Sequence, residues 1–260
     1  MKVMTIAGLA VLAGVPLLAG PAAAKKCKGD GVQVGGVCVD KYEASAWEIA
    51  PANTSVIKKV KKGKITAAAD LTGATQRGAA GDDYGAGCPD NGAGCVDLYA
   101  VSIPGVTPAR LLTWFQAASA CANAGKRLLT NQEWTVAALG TQDPGPDDGV
   151  NDCNTNFALD VIATGSRSAC VSSRGVFDMV GNLYEWVADW MPLSLGCPGW
   201  GGFSNDFQCF AGADPAGVPG ALIRGGYYLN GAGAGPLAIS GTNHPFAVGF
   251  EVGFRCAREL

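Results

Sequence analysis

The chain has 260 residues, a net charge of −3 and only 16% charged residues, with 38 glycines, 14 prolines, ten cysteines and one histidine. Such a charge balance, with no basic block beyond a short "KKVKKGK" run at 58–64, excludes nucleic acid as an implied partner. So much glycine and proline places a large share of the chain in turns and loops, where cross-links compensate for sparse regular structure.

The first 24 residues, "MKVMTIAGLAVLAGVPLLAGPAAA", combine an early Lys, an apolar run and a small-residue end. They read as a secretory signal peptide, and the expected product is an exported chain, periplasmic or extracellular. No later apolar run approaches the ~18 residues of a membrane-spanning helix, so no membrane span is expected. All ten cysteines follow the signal: Cys27, Cys38, Cys88, Cys95, Cys121, Cys153, Cys170, Cys197, Cys209 and Cys256. An even count in an exported chain reads as up to five disulfides, whose pairing spacing alone does not give. Cys27 with Cys38 and Cys88 with Cys95 are near enough to act as loop staples. The absence of any CxxC pair removes support for zinc ribbons and thioredoxin-like redox sites.

Residues 36–45, "GVCVDKYEAS", alternate apolar and polar and read as a strand. From 47 to 108 the pattern dissolves into Lys-, Ala- and Gly-rich text, which reads as a surface insertion in a single domain of residues 25–260. Two short helices follow. In 113–125 Thr113 caps an apolar face of Trp114, Ala117, Ala118 and Cys121, and Gly125 closes the end. In 130–140 Thr130 and Glu133 stand at capping-box spacing ahead of Trp134, Ala137 and Ala138, with Gly140 as the stop. Residues 140–174 are loop-like. The remainder alternates short apolar segments with Gly, Pro and Asn and holds no convincing helix.

Four islands occur in order: "DKYEAS" (40–45), "AGKRLLTNQEWTVAALG" (124–140), "GVFDMVGNLYEW" (175–186) and "IRGGYYLN…GFRCARE" (223–259). Together they resemble the formylglycine-generating enzyme family, or sulfatase-modifying-factor domains. The resemblance implies an α+β fold, C-type lectin-like, in which small twisted sheets and two short helices carry long disulfide-tied loops.

Fold does not settle function, so the chemistry is weighed residue by residue. The aerobic enzymes of the family hold copper with two cysteines shortly after the RGGS motif. Here Tyr227 to Arg255 contains no cysteine, so no copper is expected, and Cys256 reads as a disulfide partner. A second enzymatic branch surrounds iron with several histidines, and His244 alone cannot supply them. For His244 a loop contact outweighs a catalytic base. The family also holds a calcium ion at the GNVWEW turn. Carried over by position, its ligands are the carbonyls of Val180, Gly181 and Leu183 and the side chain of Glu185, all hard oxygen donors. The plain alternative is a Glu185 that only accepts hydrogen bonds beneath Trp186. Asp178 and Asn182 read as turn formers, Trp114, Trp134, Trp186 and Trp190 as core, and Arg224 and Arg255 as loop anchors.

Between the RGG and GFRC landmarks, residues 227–252 mix aromatics with Gly, Ala, Asn, Ser and Thr, the composition of an adaptable binding surface. This stretch resembles the variable region of retroelement-diversified proteins, which share the lectin-like fold. Consistent with adenine mutagenesis of Asn codons, no Lys, Gln, Met, Trp or Glu occurs from Tyr227 to Phe250, although Glu251 breaks the rule. The expected function is a non-catalytic binding protein that meets a protein, small-molecule or glycan ligand through Tyr227, Tyr228, Leu229, Asn230, Ser240, Thr242, Asn243, His244 and Phe246. The alternatives are a formylglycine-generating oxidase and a structural envelope or surface protein.

Overall fold

The computed structural model of the chain describes Met1, residues 26–143 and residues 147–260. The expected signal peptide, Met1 apart, lies outside the described residues. In chain order the elements are β1 (Gly31–Val34), β2 (Val37–Asp40), β3 (Ser45–Ile49), α1 (Thr54–Lys61), β4 (Ala74–Arg77), β5 (Leu98–Val101), α2 (Trp114–Asn123), β6 (Arg127–Leu128), α3 (Asn131–Ala138), β7 (Tyr184–Pro192), β8 (Gln208–Cys209), β9 (Pro219–Arg224), β10 (Ile239–Asn243), β11 (Val252–Phe254) and β12 (Cys256–Glu259).

Both expected helices begin at their expected caps. Thr113 Oγ1 accepts from Gln116 N, and the Gln116 side chain returns to Thr113 N, starting α2. Thr130 and Glu133 form the same reciprocal pair ahead of α3. Each box satisfies two amide donors that a bare helix start would leave open.

The strands form three small sheets. A four-stranded sheet runs β1-β2-β12-β6, a five-stranded sheet β11-β7-β9-β10-β8 and a three-stranded sheet β4-β3-β5. Most pairings are antiparallel; β11 lies parallel to β7 and β8 parallel to β10. The fold is α+β, irregular and C-type lectin-like, as expected.

Residues 47–108 differ from a surface insertion. They supply a third helix, α1, and the two strands that flank β3. Ile49, Val56, Val60, Leu71 and all four residues of β5 are buried in the same core cluster as Trp186 and Phe254. The apolar residues of this stretch are spaced by Lys, Ala and Gly, which hid their shared burial. The basic run is the end of α1 and its cap, where Lys58, Lys59 and Lys61 lie over the last turn. The expected 36–45 strand is two strands, β2 and β3, broken at Lys41–Ala44, and β10 runs through a segment whose sequence does not alternate.

All ten cysteines pair: Cys27–Cys38, Cys88–Cys95, Cys121–Cys256, Cys153–Cys170 and Cys197–Cys209. Both expected staples are among them. Cys121–Cys256 ties α2 to β12 across 135 residues and contributes on the order of 5 kcal/mol by restricting the unfolded chain. Among the described residues no helix is long and apolar enough to cross a membrane.

Candidate functional site

The turn at 178–182 is built from backbone that most residues avoid. Asp178, Gly181 and Asn182 all have positive φ, near 57°, 72° and 56°. A Cβ on Gly181 would collide with the Asn154 carbonyl, so only glycine fits there. The turn is fastened from several sides. Asn182 N donates to Asn154 O at 2.8 Å, Asn182 Oδ1 accepts from Ile162 N at 2.9 Å, and Gly181 N donates to Gly225 O at 3.1 Å. Glu43, from the "DKYEAS" island, accepts from Leu183 N at 3.1 Å and from the Asn182 side chain.

Next to it three buried carboxylates face one buried guanidinium. Glu185 on β7 lies opposite Gly253 of the parallel strand β11, and Arg255 follows that strand. Arg255 Nε and Nη2 donate to Glu185 Oε1 at 2.9 and 2.6 Å, and Nε also reaches Oε2 at 3.0 Å. Trp134 Nε1 donates to Glu185 Oε2 at 2.7 Å. Arg255 also donates to the carbonyls of Asp40 and Phe177, so it anchors two loops as its motif suggested. Asp178 accepts from Gly165 N at 2.7 Å. Burial raises the Asp178 carboxyl to about 6 and pushes Glu43 well above the usual range, with Asp178 and Glu185 adding like-charge repulsion.

These contacts test the residues carried over for calcium. Both Glu185 oxygens already accept from Arg255 and Trp134, and a divalent cation would have to sit beside a guanidinium. In this arrangement Glu185, the one side chain carried over as a ligand with the carbonyls of Val180, Gly181 and Leu183, is committed to Arg255 and Trp134. No group of three or more His, Cys, Asp or Glu suited to a metal occurs among the described residues.

The RGG segment starts from a fixed base. The Arg224 guanidinium lies 4.6 Å from the Trp134 ring and donates to Thr135 Oγ1 and Pro236 O. Gly225 and Gly226 then turn the chain at φ 94° and 81°, and a Cβ on Gly226 would strike Ala234.

The nine expected contact residues fall into two groups, with no hydrogen bond between them among the described residues. In the first, Tyr227 stacks on Tyr184 at 5.5 Å and meets Tyr228 edge-on at 5.1 Å. Asn230 Oδ1 accepts from Tyr227 N, and Tyr228 N donates to Asn182 O, which hooks this turn to the motif turn. Tyr228 is 8% exposed, Tyr227 and Asn230 are half-buried and Leu229 is exposed. In the second, Ser240 is buried with its hydroxyl 2.9 Å from that of exposed Thr242. Asn243 and His244 are half-buried, and His244 stacks on exposed Phe246 at 4.9 Å. His244 Nδ1 is buried with no protein partner.

Sequence reading missed several neighbours of the first group. Arg110 Nη1 pairs with Asp160 Oδ1 at 2.8 Å, while the Phe250 ring lies 5.5 Å from its guanidinium. Burial, then the Asp160 charge, raises the Tyr228 hydroxyl, and Tyr184 is raised by burial, Tyr227 and Glu251. No motif carries Arg110 or Asp160; only long-range packing brings them together.

The sequence pattern of the sulfatase-modifying factor enzyme 1-like domain matches residues 86–260. The serine/threonine-protein kinase Pkn1 of Chlamydia trachomatis is 30% identical over 159 residues, covering 57% of this chain and 24% of the kinase. Its counterpart in Chlamydia caviae is 31% identical over 156 residues, covering 56% and 23%. The chain thus spans about a quarter of the length of these relatives. Among solved structures, the Major Tropism Determinant U1 variant superposes with a TM-score of 0.50 at 16% identity, covering 90% of this chain and 54% of the other, a likeness of fold alone. With a match over two thirds of its length, the chain belongs to the sulfatase-modifying factor enzyme 1-like domain family.

Proposed function

We propose that this protein is an exported, non-catalytic binding protein that meets a protein, small-molecule or glycan ligand through residues 227–246. One observation carries the reading: along this segment buried anchors alternate with exposed tips. Tyr228 and Ser240 hold the chain, while Leu229, Thr242 and Phe246 face solvent. Such a surface changes its tips without disturbing its base. Five disulfides suit an oxidising, exported setting, and they leave no thiolate for a copper pair. The ion pair of Glu185 with Arg255, together with the disulfides, stabilises the scaffold.

The test is a screen of defined glycans and purified surface proteins with the wild type and a Leu229→Ala, Thr242→Ala, Phe246→Ala variant. The expected result is a ligand bound by the wild type and lost by the variant at unchanged Tm. A ligand retained by the variant would move the site elsewhere. Turnover of a cysteine-containing sulfatase peptide with added copper would replace the reading by the oxidase.

A further inference from the structure

The chain also carries a finger at 195–211 with a cluster of exposed large apolar side chains. Its arms are joined by the Gly196–Ala211 bridge, by Leu195 N donating to Ala211 O at 3.1 Å and by the Cys197–Cys209 disulfide. Large apolar side chains stand out from it. Phe203 is 78% exposed and Leu195 61%, and Trp200, Phe207 and Phe210 are each more than a third exposed. Trp200 and Phe203 meet at the tip, with ring centroids 6.5 Å apart.

The finger shows no charge. From Leu195 to Ala213 the only ionisable side chain outside the disulfide is Asp206, which is 2% exposed. Asp206 turns inward, accepts from Leu237 N at 2.6 Å and packs on Gly235. Phe207 N donates to Gly233 O, and Ile239 N to Phe207 O. The one carboxylate therefore pins the finger to the RGG segment rather than facing solvent. No Lys, Arg or His occurs between Arg174 and Arg224, and Asp189 and Asp214 flank the finger.

We propose that this finger inserts its aromatic tip into the interfacial layer of an electrically neutral lipid bilayer. Trp and Phe among glycines, without charge, match the layer between headgroups and acyl chains, where aromatic side chains concentrate. The missing basic residues and the flanking aspartates select a zwitterionic surface over an anionic one. Disulfide and Asp206 hold the arms in place before contact, so little ordering is required on docking. Insertion also brings residues 227–246 to the membrane, because the finger is bonded to Gly233, Leu237 and Ile239.

The test is co-sedimentation of the mature, disulfide-bonded protein with phosphatidylcholine vesicles, alongside a Trp200→Ser, Phe203→Ser variant. The wild type should partition onto the vesicles with a blue-shifted tryptophan emission, equally at low and high salt, and no better when phosphatidylglycerol is added. The variant should lose at least about tenfold of the partition coefficient at unchanged Tm, since the two aromatic side chains that enter the lipid are removed. Failure of the wild type to sediment, or equal binding by the variant, would overturn the proposal. A salt-sensitive preference for anionic vesicles would overturn it as well. A concentration-dependent dimer without lipid, abolished by the same variant, would show that the tip covers a second copy instead.

Discussion

The motif turn at 178–182, with the start of β7, and the finger at 195–211 are neighbours in sequence, and they put their polar and apolar groups to opposite uses. Around the turn, Glu43, Asp178, Glu185 and Arg255 are buried and their polar atoms are held. In the finger the aromatic side chains are outside and the single aspartate is inside. The first arrangement gives up solvation to define one backbone path. The second leaves large apolar side chains in water, the kind of surface that marks a contact with an outside partner.

The largest effect is expected from the turn. Arg255→Met would leave the buried Glu185 carboxylate without its cation, costing about 4 kcal/mol, or about 10 °C in Tm for a domain of this size. Thermal melting at neutral pH checks it. A loss below about 1 kcal/mol would show that Glu185 takes its stabilisation from another group. By contrast, changes at Trp200 or Phe203 in the finger should leave Tm unaltered.

This difference also explains what the sequence disclosed. Helices α2 and α3 were legible because their capping pairs act over three residues, and the family islands were legible because each is a continuous string. Arg255 reads as an anchor from its motif alone. Its partner does not, since Glu185 has two competing chemistries available, cation ligand or acceptor, and the approach of β11 to β7 that brings Arg255 to it has no local signal. Residues 47–108 read as an insertion for a related reason: β4 and β5 are far apart in sequence and acquire a core only by pairing on either side of β3. Arg110, Asp160 and Phe250 had no local signal at all.

A smaller, pH-dependent effect follows from Asp178. Its carboxyl is raised to about 6 in the folded chain against an ordinary value near 3.8, so the folded state holds a proton that the unfolded state releases. Stability therefore falls as pH rises from about 4 to about 6, by up to about 3 kcal/mol. Glu43, raised mainly by burial, and Asp40, raised to about 6 by burial, act with the same sign. Tm should rise as the wild type is acidified from about pH 7 to about pH 5. Asp178→Asn keeps an acceptor for Gly165 N and tolerates positive φ, so it should raise Tm at pH 7 and flatten part of that slope. An unchanged slope would show that Asp178 is ionised throughout. The exposed Asp148, lowered by backbone N–H donors, acts in the opposite sense but only below about pH 4.

The smallest expected effect is none, and it separates the two roles open to Glu185. A carboxylate bonded to a guanidinium and an indole has no need of a cation, so adding a strong chelator should leave Tm unchanged. Were calcium bound, Glu185 would have to release Arg255, and the chelator would lower Tm by several degrees while Glu185→Gln abolished that sensitivity. In the ion-pair arrangement Glu185→Gln leaves Arg255 partly uncompensated and lowers Tm with or without chelator. The two outcomes differ in whether the variant and the chelator act on the same stabilisation, and a single melting series with both resolves it.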